Sequence, residues 1–220
     1  MIDFNRLIEQ HLHREPWPKT PGRYYPSEIG GCMRRIWYSY KHPVAPDGDK
    51  VKIFHMGNMI HNFIVDVLMS EKTPEVELLE SETPVRIQIG DITISGRIDD
   101  LMHVKAEGKE YLVEVKSTKW LESTKKPNPV HQMQLQLYMH AQGIPRGILL
   151  YIEKNTLKTK SFLVKYAPEL AQQALQRFRI LHDYIKSDTI PPAEAKQNEK
   201  IKWQCSYCDY RNKCDIAEGE

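Results

Sequence analysis

The chain has 220 residues, with 31 Lys and Arg against 29 Asp and Glu for a formal net charge of +2. That length suits one sizeable domain with an appended element and excludes two independent cores. The near-neutral balance excludes a generally basic nucleic-acid binder, so any such surface must be local.

Residues 1–26 read as a short amphipathic helix followed by a Pro-rich connection, PWPKTPGRYYP. The opening stretch has no apolar signal core, and no apolar run of the chain approaches membrane-spanning length. This points to a cytoplasmic protein with no membrane partner, its thiols kept reduced. Ser27 is placed to cap a helix through EIGGCMRRIWYSYK, which carries Cys32, Arg34, Arg35, Trp37, Tyr38 and Lys41. Cations mixed with aromatics can follow a phosphate backbone and stack on bases, and Trp37 and Tyr38 read equally well as core residues.

After the loop HPVAPDGD a second helix, VKIFHMGNMIHNFIVDVLMSEK, places Phe54, Gly57, His61, Ile64 and Leu68 on one inward stripe. From Pro84 the text alternates like β-structure through PVRIQIGDITISGRID, with a turn at Gly90-Asp91, and resumes over residues 111–117 after the turn AEGKE. These make three consecutive antiparallel strands. Residues two apart on a strand share a face, so Glu114 and Lys116 project together, away from Val113 and Val115. Asp99, on the neighbouring strand, can come close to Glu114. Two carboxylates beside an ammonium suit a magnesium site with a basic group at its edge. The adjacent Asp100 is expected to face away from Asp99.

A loop with Lys119, Trp120, Lys125 and Lys126 follows, then a helix from Asn128-Pro129 to Gly143 with His131, Gln134 and Tyr138 on one face. Two strands, RGILLYIE and TKSFLVKY, precede a long helix from Pro168 to Lys186 and a polar segment leading to a Cys-rich tail. The order of elements describes one mixed α/β domain with helices flanking a small sheet. Its parts are residues 1–50, carrying the first cysteine, 51–190 as the core and 191–220 as the tail. The four cysteines are Cys32 and, in a C-x2-C-x5-C cluster, Cys205, Cys208 and Cys214. Such spacing in a reducing compartment fits an all-thiolate metal or iron–sulfur site, with zinc and iron–sulfur both open.

Gly57-x3-His61, Gly96-x2-Asp99, Glu114-x-Lys116 and Gln134-x3-Tyr138 fall in this order on helix, strand, strand and helix. The arrangement resembles the P-D-(D/E)-x-K nuclease superfamily in its RecB-like branch. With the cysteine pattern added, it is similar to the CRISPR-associated RecB-like exonucleases that carry an iron–sulfur cluster. The chain has no G-x4-G-K-[ST] phosphate loop that would indicate a helicase. The resemblance implies a restriction-endonuclease-like core and a metal-dependent DNA exonuclease acting on single-stranded ends. It further implies processing of spacer precursors alongside CRISPR integrase proteins. A phage or cellular recombination and repair nuclease of the same superfamily is the alternative, and a non-catalytic zinc-containing DNA-binding module is the more distant one.

By the same resemblance His61, Asp99, Glu114 and the Val115 carbonyl hold Mg2+ or Mn2+, Lys116 serves the attacking water, and Gln134 and Tyr138 position the strand. Cys32, Cys205, Cys208 and Cys214 hold a [4Fe-4S] cluster, with 2Fe-2S or Zn2+ as alternatives. Lys119, Lys125, Lys126, Lys200, Lys202 and Arg211 would then supply backbone contacts.

Overall fold

The computed structural model describes residues 1–219. Six strands form one mixed sheet: β1 (Arg23–Tyr24), β2 (Val76–Ile89), β3 (Ile92–Val104), β4 (Lys109–Thr118), β5 (Arg146–Glu153) and β6 (Thr159–Lys165). The order is β1-β3-β4-β5-β6, with β2 also paired to β3. The β2–β3, β3–β4 and β5–β6 pairs are antiparallel, whereas β4 runs parallel to β5. A parallel step needs a crossover, and the helix between Asn128 and Gly143 supplies it.

Helices cover both faces. On one side α3 (Gly48–Leu68) buries Ile60 and Ile64 against Val113, Val115 and Ile152. On the other, α4 (Pro129–Gln142) lies over Val85, Ile98, Leu112 and Leu149. Beside it α2 (Met33–Lys41) and α5 (Pro168–Lys186) enclose Tyr24, Ile94, Leu137 and Phe178. The crossover helix starts where expected because the Asn128 side chain accepts from the Val130 N–H at 2.9 Å and Pro129 needs no donor partner. The short α1 (Phe4–Leu12) precedes this body, and α6 (Glu194–Gln197), a 3-10 turn (Lys202–Tyr207) and α7 (Arg211–Glu218) form the tail. Among the described residues, no helix is long and apolar enough to cross a membrane.

Two local expectations are corrected, for Ser27 and Phe54, and one open alternative, for Trp37 and Tyr38, is decided. Ser27 caps nothing: residues 26–31 form turns, and α2 begins at Met33, after Cys32. Gly30 presses on α4, where a Cβ would lie 2.6 Å from the Val130 Cα, and the Gly30-Gly31 pair cannot carry a helix through that bend. Trp37 and Tyr38 are each 4% exposed; Trp37 Nε1 donates to the Tyr184 carbonyl and Tyr38 Oη to that of Lys213, so both are core residues, not stacking surfaces. Phe54 keeps the spacing of the α3 stripe but not its burial, and is 55% exposed. The stripe meets the sheet only from Ile60 onward, against Val113, Val115 and Ile152 of β4 and β5.

Candidate active site

The reaction centre forms where β3 breaks its alternation. Ile98 and Leu101 both pack toward α4, whereas a regular strand would send residues three apart to opposite faces. Upstream parity directs Asp99 to the α3 side and downstream parity directs it to the α4 side, so it stands at the flip and meets both. Its Oδ2 accepts the Val115 N–H at 2.8 Å, in place of a ladder bond just past the last β3–β4 pair, Asp100 with Val113. Opposite Asp99 on β2 is Glu82, a non-glycine residue at φ 53°. Backbone in that region is sparsely populated by L-residues. The irregularity in both strands opens the sheet at this point.

His61, on the sheet side of α3, reaches this opening. Its Nε2 lies 3.2 Å from Asp100 Oδ2, and Asp100 is fully buried. A carboxylate there makes Nε2 the donor and leaves Nδ1 to face the opening, 3.6 Å from Glu82 Oε1. The Asp100 hydrogen bond, opposed by burial, raises the His61 pKa to about 8. One ligand atom from each of His61, Glu82 and Asp99 gathers within 4.8 Å of the others. The expected separation of Asp100 from Asp99 is not kept: with the alternation broken at Asp99, both carboxylates approach His61, and Asp100 serves to orient it.

On the α4 side Glu114 and Lys116 project together, as their spacing requires, and form an ion pair. Glu114 is 1% exposed; its Oε1 meets only the Lys116 ammonium, and its Oε2 has no hydrogen-bond partner. Burial first, and then the Asp99 charge, push its pKa up; burial likewise raises that of Asp99. Burial works against the Lys116 charge, but Glu114 and Asp99 outweigh it and the ammonium is held. Above them Gln134 Nε2 donates to Tyr138 Oη at 3.3 Å, and both side chains are buried. Gly96 is what lets them in: a Cβ there would stand 3.0 Å from Tyr138 Oη.

Buried carboxylate oxygens without partners, next to a trio of oxygen and imidazole donors, fit a hard divalent cation. The predicted residues His61, Asp99, Glu114, Lys116, Gln134 and Tyr138 are thus brought to one place, while Val115 is tied in through its N–H. Glu82 and the orienting role of Asp100 were missed by the sequence reading. Glu82 has no motif neighbour, and only its opposition to Asp99 across the hairpin could have signalled it.

Cys32, Cys205, Cys208 and Cys214 line one cavity of about 330 Å3 between α2 and the tail. All four are free thiols. Arg34 is buried beside them, donating to the Pro191 carbonyl at 2.7 Å and lying 3.6 Å from the Cys214 Sγ.

The family model for the PD-(D/E)XK nuclease superfamily matches residues 14–215, a span that holds every residue of this site and all four cysteines. Over 214 residues the chain is 24% identical to the CRISPR-associated exonuclease Cas4 of Saccharolobus solfataricus, covering 95% of this chain and 94% of that protein. Among solved structures it is similar to SSO0001, with a TM-score of 0.60 and 23% identity over 94% of this chain and 90% of the other. It is also similar to the alkaline exonuclease LHK-Exo of Laribacter hongkongensis, with a TM-score of 0.51 and 10% identity over 76% and 90% of the two chains. The chain belongs to the PD-(D/E)XK nuclease superfamily, whose members hydrolyse phosphodiester bonds with divalent metals.

Proposed function

We propose that the protein is a metal-dependent DNA exonuclease acting on single-stranded ends. The observation that carries this reading is the buried carboxylate of Glu114, paired only with Lys116 and with Oε2 left open, beside the His61, Glu82 and Asp99 trio. His61, Asp99 and Glu114, with the Val115 carbonyl and the added Glu82, would hold Mg2+ or Mn2+. A bound divalent cation supplies Lewis acidity toward the scissile phosphate and acidifies a water. The Lys116 ammonium would orient the attacking water and offset negative charge growing on the phosphoryl oxygens. Gln134 and Tyr138 offer an amide and a phenol to fix the strand. Asp100, by holding the His61 Nε2–H, keeps the Nδ1 lone pair directed at the opening.

The four cysteines around one cavity support a bound [4Fe-4S] cluster tying α2 to the tail, with a structural role. The name of the archaeal relative supports a setting in CRISPR adaptation, trimming spacer precursors beside the integrase proteins in the cytoplasm. The test is anaerobic purification, an absorbance spectrum, and digestion of end-labelled single strands with and without Mn2+. Manganese-dependent digestion lost in Asp99→Ala and Lys116→Ala, in a brown protein, is the expected result. Wild-type digestion by Lys116→Ala with its chromophore intact would misplace the active site. A colourless protein containing zinc would remove the cluster from this account.

A further inference from the structure

A second cleft, of about 430 Å3, lies between α2, the start of α3, the start of α4 and the tail. Three of its lining residues are large aromatics that the fold leaves in solvent: Trp17 is 80%, Phe54 55% and Trp203 52% exposed. They come from three separate stretches of chain, so helix periodicity does not explain their gathering. Arg35 lines the same cleft, is exposed, and has no ion-pair or hydrogen-bond partner among the described residues. The other cations at this cleft are already engaged, Lys19 with Glu28 and Lys50 with Asp209.

The cleft leads to the reaction centre along two walls. On α3, Phe54 is followed at helical spacing by Gly57 and His61, so one stripe runs from the aromatic surface to the metal trio. Gly57 keeps that wall low: a Cβ there would meet only Ser117 Oγ, at 3.8 Å, next to Lys116. On α4, His131 lines the cleft, and its Nδ1 is 2.9 Å from Tyr151 Oη. Tyr151 in turn lies opposite Lys116 across the β4–β5 pair.

We infer that this cleft is a stacking track for unpaired bases, in which Trp17, Phe54 and Trp203 hold a single strand and Arg35 takes its phosphates before the strand reaches Lys116. Exposed π-faces recognise any base, but only one whose own partner strand is absent, so the cleft selects single strands without reading sequence. This assignment rests on the nuclease reading for what happens at the end of the track, and not for the binding itself.

The experiment measures anisotropy of a labelled twenty-nucleotide thymidine strand titrated with full-length protein in EDTA, where cleavage does not interfere. Each of Trp17→Leu, Phe54→Leu and Trp203→Leu is expected to weaken binding roughly tenfold, as loss of one stacked base does. Arg35→Gln is expected to flatten the salt dependence by about one phosphate contact. All four side chains are exposed, and Phe4→Leu on α1 serves as a control that keeps wild-type affinity. Unchanged affinity in the three aromatic variants, or equally tight binding of the same strand as a duplex, overturns the track. Wild-type protein that binds through these residues but cuts nothing with Mn2+ would keep the track and remove the nuclease reading. Protein that cuts while the variants bind normally would do the reverse.

Discussion

Replacing Glu114 by Gln should stabilise the metal-free protein while destroying its response to metal. Glu114 is 1% exposed, with Lys116 as the one partner of its carboxylate. Burial, then the Asp99 charge, raise its pKa from 4.5 to about 8. An acid raised by folding contributes its full stability below pH 4.5 and loses it as pH rises through about 8. At about 1.4 kcal/mol per unit, the roughly 2.5 units between its unfolded value and pH 7 correspond to about 3 kcal/mol. The Lys116 pairing is already counted in that shift, but the Gln amide must itself be satisfied in the buried site, which offsets some of the gain and leaves about 1–2 kcal/mol. For a chain of this size that raises Tm by about 3–6 °C. With Mn2+ at a hundred times its Kd, the wild type recovers about 2.7 kcal/mol and the variant does not, so the order of melting inverts. Anaerobic circular-dichroism melts of both proteins at pH 7, in EDTA and in Mn2+, read the two effects. A variant that melts below wild type in EDTA, or that gains as much from Mn2+, would refute the reasoning.

Glu82→Asn should keep the fold, since Asn tolerates the φ of 53° better than Glu. It should weaken Mn2+ binding about tenfold by calorimetric titration. Gly96→Ala places a Cβ 3.0 Å from both Tyr138 Oη and the Pro26 Cδ. It should cost about 1–3 kcal/mol in urea unfolding and lower nuclease turnover through the displaced tyrosine. Burial, followed by the Lys116 charge, pushes His131 down to about 3, so it folds neutral. Its contribution is complete above pH 6.5 and is lost toward pH 3, at about 1.4 kcal/mol per unit. His131→Asn should therefore flatten the fall of the urea midpoint between about pH 6 and pH 4.

Local signals carried the sequence reading where chemistry and periodicity coincide. The turn at Gly90-Asp91, the capped start of α4 at Asn128-Pro129 and the pairing of Glu114 with Lys116 all follow from spacing over a few residues, and the structure contains each of them. The flip of β3 at Asp99 was not legible, because IDDLM alternates no differently from a regular strand and the break depends on β2 and β4 alike. Glu82 was hidden for the same reason: its role arises from standing opposite Asp99. The early start assigned to α2 failed because Gly30 answers to Val130, one hundred positions away in the chain. Phe54 fits an apolar stripe by spacing, yet burial depends on where the sheet ends, which a stripe does not encode.

The meeting of the tail with α2 also sets a timetable for biosynthesis. Gln204 accepts the Cys32 N–H at 3.0 Å across 172 positions, and Tyr38, Arg34 and Met33 likewise bond to residues beyond 190. At about 5–20 residues per second, the ribosome needs roughly ten to thirty seconds between making the first of these partners and the last. Throughout that interval α2 stands without its cover, with Cys32 facing no other thiol. The four cysteines share a cavity only once the tail has emerged, so any group they hold is loaded after synthesis of the core.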